Sequence, residues 1–230
     1  MKKIILLSFT VLNCIAAQAC VTCNQTIQDG IKDTLYNPGL SAILPVFIAL
    51  IIMVGALIFV TIKQRKDGNQ HVTAFMAAST ILGIGLGGFI DGIVFHQVLQ
   101  WHEMLSNKLP TSTLVNKSVN MFWDGIFHLF TLTATIVGII LQWRVLHNKQ
   151  VRKSGLLLFA GCCSGWGIFN FIEGLINHQI FKLHNVKENA ARPEVWNMGF
   201  LAFSILLIIF GLILFNRRGT AAKSCLPAKL

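Results

Sequence analysis

The chain has 230 residues, of which 54% are apolar and only 12% charged, with a formal net charge of +10. Charge at half the soluble norm of ~25% cannot cover a soluble surface, and the same shortage excludes a disordered chain. Six cysteines are too few for a disulfide scaffold, and Lys and Arg cluster at the ends of apolar segments rather than on a nucleic-acid-binding face, so no nucleic-acid partner is expected.

From the N-terminus, Lys2 and Lys3 precede an apolar stretch from Ile4 to Leu12, and Ala17-Gln18-Ala19 forms a small-x-small site before Cys20. Residues 1–19 therefore read as a cleavable signal peptide, with an uncleaved first helix as the alternative. The segment 20–41 follows, carrying Cys20 and Cys23 as a CxxC. Outside the cytoplasm that pattern is a redox pair, half of a metal site or a small disulfide loop. Five apolar runs come next, each near the ~20 residues that a membrane span requires. They are Ala42–Ile62, Val72–Leu99, Met121–Leu141, Gly155–Asn177 and Trp196–Phe215. Together they define an all-α transmembrane bundle over 42–215, with a tail at 216–230.

The linkers set the orientation. Lys63, Arg65 and Lys66 follow the first run. Arg144, Lys149, Arg152 and Lys153 follow the third, and Arg217, Arg218 and Lys223 the fifth. The other linkers mix signs. The positive-inside rule puts the three basic ends in the cytoplasm. The mature N-terminus is then outside and the C-terminus inside, as expected for a bacterial inner-membrane protein whose surrounding partner is the lipid bilayer.

Two stretches repeat at an offset of 82 residues. GIGLGGFIDGIVFHQVLQWH at Gly83–His102 matches GWGIFNFIEGLINHQIFKLH at Gly165–His184 without a gap. Eight positions are identical, and Asp91 is replaced by Glu173. The following helices repeat more weakly, with Trp123-Asp124 against Trp196-Asn197 and His128 against Leu201. The chain thus reads as an internal parallel duplication of a two-helix unit, with copies at about 72–141 and 155–215. The first span stands outside this four-helix bundle. Gly83/Gly87 and Gly88/Gly92 are small-xxx-small pairs that permit close helix approach.

Asp91, Asp124 and Glu173 lie inside predicted spans, and His96, His102, His128, His178 and His184 fall at the same outer end or just beyond it. An ionisable group in the bilayer costs about 2.5–3.5 kcal/mol on insertion scales, so such groups face the bundle interior and pair. Carboxylate and imidazole from facing helices make a metal site the leading expectation, with a purely structural Asp–His network as the alternative. Asp124 and His128 are four apart and share a helix face. Asp91 and His96 are five apart, about 140° around an ideal helix, and His102 is about 16 Å along the axis from Asp91. Ligands must then come from several helices, or the helix must break near His96. The duplication favours Asp91/His96 facing Glu173/His178, with Asp124/His128 between them. Imidazole with carboxylate suits zinc or iron, with copper or haem as alternatives. Gln97, Gln179 and Asn197 are candidate supporting partners. Cys162 and Cys163 read as small packing residues and Cys225 as a free thiol.

The strings GGFIDGIVFHQVLQWHEMLS, WDGIFH and FNFIEGLINHQIFKLHNV resemble domain of unknown function 2243, a family of predicted bacterial multi-pass membrane proteins, over roughly residues 40–215. The resemblance implies a membrane fold and no mechanism. Asp91, His96, Asp124, His128, Glu173 and His178 match the family strings. The family pattern doubles the histidine where this chain has His102-Glu103 and His184-Asn185, which makes the two outermost histidines the weaker ligand candidates.

The leading functional expectation is a metal-binding membrane protein with its site near the periplasmic face. The alternatives are a membrane-embedded metal-dependent hydrolase or oxidoreductase acting on a lipid-like substrate, and a haem- or copper-handling assembly factor. Transport through the bundle ranks last, because the inner halves of the spans carry no acid or histidine.

Overall fold

The computed structural model describes residues 23–66, 71–147 and 154–223, and every regular element among them is helical. Residues 1–19, Cys20 and Cys225 lie outside the described residues. The helices are α1 (Gln25–Tyr36), α2 (Leu44–Lys66), α3 (His71–Ile90), α4 (Leu114–Leu146), α5 (Gly155–Glu173) and α6 (Pro193–Lys223). Five segments are long and apolar enough to cross a bilayer: Ser41–Gln64, Val72–Val98, Leu114–Leu146, Gly155–Ile180 and Pro193–Arg217. Each contains or closely tracks a run read from the sequence.

The caps follow helix chemistry. Thr113 accepts from the Asn116 N–H at 3.2 Å to start α4, and Ser154 accepts from the Leu157 N–H at 3.3 Å to start α5. The 33 residues of α4 span about 50 Å at 1.5 Å each, more than the ~30 Å hydrocarbon core. One end of α4 therefore stands beyond the membrane. Its early turns support α1, an amphipathic helix the apolar runs do not reveal. Asn24 caps α1, Ile27 is its buried anchor, and Trp123 Nε1 donates to Thr34 Oγ1 at 2.9 Å.

The repeated helices α3 and α5 share the largest interface, with α4 packed on α3 and α6 on α5. The first span, α2, packs chiefly on α3, outside that bundle. Glycine sets the closeness of the central pair. A Cβ at Gly165 would collide with the Thr80 carbonyl and lie 2.8 Å from the Ile84 amide nitrogen. A Cβ at Gly83 would lie 2.7 Å from the Cys162 Cα. Backbone meets backbone there, which is how helices associate when lipid supplies no hydrophobic drive between them. Gly165→Ala should lower stability by about 1–3 kcal/mol through overpacking. Gly125→Ala, where a Cβ would meet nothing within 4 Å, should be neutral or slightly stabilising. Thermal melts of detergent-purified variants measure the contrast.

Candidate metal centre

The two repeated helices do not continue as α-helices past their acids. Asp91–Val98 and Gly174–Ile180 are π-helical. A π-turn takes up an extra residue, so positions i and i+5 lie one above the other as i and i+4 do in an α-helix. That brings Asp91 onto His96 and Glu173 onto His178, pairs that an α-helix holds apart. Asp91 Oδ2 lies 3.4 Å from His96 Nε2, and Glu173 Oε1 lies 3.2 Å from His178 Nε2. The spacing of five thus places each pair within one chain segment, rather than only across helices as the α-helical geometry requires.

Both segments end in the same way. Gln100 and Lys182 adopt φ of 49°, in the left-handed region. The Trp101 N–H reaches back to the Phe95 carbonyl at 2.9 Å, and the Leu183 N–H to the Asn177 carbonyl at 2.8 Å. A non-glycine residue in this region costs of order 1 kcal/mol and persists where its surroundings fix it. The reversal folds the chain back over the bundle end, which accounts for the two outer histidines. Read along a straight helix, His102 projects about 16 Å beyond Asp91. In the folded chain His102 is 4% exposed and His184 0%. They are central to the cluster, contrary to the ranking drawn from the sequence.

Four imidazoles pack at this bundle end. His102 and His184 stack at 4.6 Å with their planes 3° apart, and His96 lies 4.4 Å from His102. His178 lies 4.8 Å from His184. Ligand atoms of His96, His102 and His184 fall within 4.8 Å of one another, as do those of Glu173, His178 and His184, so either group could hold a metal ion.

The proton positions follow from the partners. His102 Nδ1 donates to the Val186 carbonyl at 2.8 Å, and His184 Nδ1 to the Met104 carbonyl at 2.9 Å. Carbonyls only accept, so both protons sit on Nδ1. His96 Nδ1 donates to Asp124 Oδ1 at 2.9 Å, and that oxygen also accepts the Met104 N–H at 3.2 Å. In neutral His102 and His184 each Nε2 is then a lone pair. Burial, with His96, His184 and His178 close by, holds His102 well below the usual histidine range and keeps it neutral. His184 Nε2 faces Glu173 Oε1 at 3.0 Å. Two acceptors that close require a proton or another cation between them. His96 Nε2, His102 Nε2, Glu173 Oε2 and both nitrogens of His178 are buried without a hydrogen-bond partner. An unpaired buried polar atom costs about 1–3 kcal/mol, so a cluster of them signals an ion or protons.

The remaining predicted residues fall into place around this core. Asp124 orients His96. His128 is half-buried, donates Nδ1–H to the Asp124 carbonyl at 2.7 Å within its own helix, and joins neither ligand group. Asn197 stands where the second copy lacks an acid. Its Oδ1 accepts the Val186 N–H at 2.9 Å, and its amide donates to Asn185 at 2.8 Å, so it braces the loop rather than His178. Gln179 is half-buried and contacts Met198. Sequence reasoning missed the Met104 and Val186 carbonyls, although they stand at equivalent positions two residues beyond His102 and His184. It also missed Asn120, which accepts from the Leu105 N–H at 2.8 Å and donates to the Leu109 carbonyl at 3.0 Å.

Beside the cluster, burial raises the Glu103 carboxyl from its ordinary 4.5 to about 7, with Asp124 adding to the effect. Burial also raises Glu188, which meets Ser106 Oγ. A raised carboxyl binds its proton more tightly in the folded state, so its contribution to stability falls as pH rises from 4.5 through 7. Glu103→Gln should therefore lose less stability than the wild type over that interval, read as the difference in Tm between its two ends.

The fold and the cluster define a multi-pass helical membrane protein with a buried histidine–carboxylate centre at one bundle end. The chain belongs to the family described as predicted membrane protein DUF2243, whose model matches residues 78–218. That match runs from α3 into α6 and includes every residue of the centre. No curated protein and no solved structure gives a significant match.

Proposed function

We propose that the protein is a metal-binding membrane protein whose ion is held by His96, His102 and His184 through Nε2, with Glu173 and His178 completing the set. One observation carries this reading. His96, His102 and His184 each direct Nδ1 to a fixed oxygen, which leaves Nε2 as the atom available to an ion. Metal-bound histidines are oriented in this way, the outer partner fixing tautomer and ring angle. Imidazole with one carboxylate suits zinc or iron. Haem fits poorly, because rings packed at centroid separations of 4.4–4.8 Å fill the space a porphyrin plane needs.

Glu173 lies against His178 and His184, and a ligand set made up entirely by side chains favours a closed binding centre over one that holds a reacting water. The α3 and α5 backbones meet at Gly83 and Gly165, which leaves no path between these two helices there and speaks against transport. With basic linker ends in the cytoplasm, the centre faces the periplasmic side of a bacterial inner membrane. The signal peptide and the duplication belong to the same reading.

Elemental analysis of detergent-purified protein tests it. Stoichiometric zinc or iron is expected in the wild type and none in His102→Ala/His184→Ala. Asp124→Ala should weaken affinity about 10–100-fold by releasing His96. His128→Ala should retain the metal. Equal metal content in the wild type and a folded His102→Ala/His184→Ala variant would show the assignment to be wrong.

A further inference from the structure

A second feature lies on the outer side of the same bundle end. Phe95, Trp101, Trp196, Gly199, Phe200 and Phe203 line a groove of about 500 Å³ between the first π-helical segment and α6. Trp196 and Phe203 are exposed, on a helix that packs less of its surface inside the molecule than any other span. In a spanning helix such exposure faces lipid. Gly199 leaves the gap between these large side chains, and a Cβ there would meet nothing within 4 Å. From Trp196 to Phe203 the helix rises about 10 Å, the length of a medium run of methylenes.

One end of the groove is not apolar. The Lys187 ammonium sits 4.8 Å from the Trp101 ring centroid and 5.0 Å from that of Trp196. Both indoles hold the cation by their π faces. Among the described residues Lys187 forms no ion pair with a carboxylate. The position also fixes the depth. Val98 ends one span and Pro193 begins another, so Trp101, Trp196 and Lys187 lie at the level of lipid headgroups. An apolar slot running into the bilayer, with an unneutralised cation at its headgroup end, has the charge and shape of an amphiphile with an acidic head.

We propose that this groove holds an acyl chain of an anionic phospholipid from the surrounding bilayer, with the lipid phosphate on Lys187. The proposal does not depend on the metal reading, although Phe200 touches both sites, its ring 5.4 Å from that of His178. The two indoles make the test direct. The full-length protein is reconstituted in phosphatidylcholine vesicles containing a graded fraction of dibrominated phosphatidylglycerol or dibrominated phosphatidylcholine. Tryptophan quenching is then measured. The expected result is an apparent affinity about fivefold higher for the anionic bromolipid, the scale of one lysine at a charged membrane surface. Lys187→Gln should abolish that preference and Lys187→Arg should keep it. Gly199→Leu, whose Cβ meets nothing within 4 Å and whose side chain takes up the gap, should reduce quenching by both lipids. Equal quenching of the wild type by the two lipids overturns the proposal. So does a preference that survives Lys187→Gln, or quenching unchanged in Gly199→Leu.

Discussion

The centre depends on the widening of two helices where they reach a buried acid. An α-helix carries residues five apart to different faces. At Asp91–Val98 and Gly174–Ile180 the backbone takes the π form, and each acid meets its histidine along one face. π-Turns are rare, short and concentrated at functional sites. Two of them at the same offset as the sequence repeat, each followed by a left-handed residue, make a common device: widen, stop, and fold the loop inward. The loops then supply the two histidines that no straight helix reaches, and the carbonyls that orient them. Each loop serves the other copy's histidine, since His102 bonds to Val186 and His184 to Met104. The two halves of the bundle are therefore tied through the centre itself.

The two sides of the centre are not equivalent. Asp124 gives His96 a charged acceptor, whereas Asn197 is committed to the second loop and His178 has no hydrogen-bond partner at either nitrogen. Glu173 compensates by lying against both His178 and His184. One side of the cluster is oriented in advance, and the other is held by proximity to a single carboxylate. A cation entering such a site would satisfy buried atoms that otherwise carry a cost, and would couple binding to the packing of both loops. The glycine contacts complement this by holding the α3 and α5 backbones against each other at Gly83 and Gly165.

Much of this was legible in the sequence, for physical reasons. Spans show because lipid demands continuous apolar length, and the five runs coincide with the helices to within a few residues at most ends. Asp91, Glu173, His96 and His178 stand out because charge inside a span is expensive. What escaped depended on backbone form. A spacing of five looked like a mismatch because the α-helical period was assumed, when the recurrence of that spacing in both copies was itself the mark of a π-turn. His102 and His184 rank low on the sequence because the chain departs there from the family's doubled histidine, and nothing in Gln100 or Lys182 announces the left-handed turn that brings them inward, for which glycine is the usual residue. The carbonyls of Met104 and Val186 carry no side-chain signature at all. Helix α1 escaped because it is amphipathic and short, and its anchor to Trp123 runs through one threonine hydroxyl.

The centre and the aromatic groove share a bundle end, and both draw on the folded loops rather than on the spans alone. The central claim is the proposed metal site of His96, His102, His184, Glu173 and His178, and X-ray absorption spectroscopy of the purified protein loaded with zinc reads it most directly. The structure predicts a first shell of nitrogen and oxygen at about 2.0–2.2 Å for zinc, with the outer-ring scattering of three or more imidazoles. A shell of sulfur, or of oxygen with no imidazole signature, would contradict it and place the metal elsewhere on the chain.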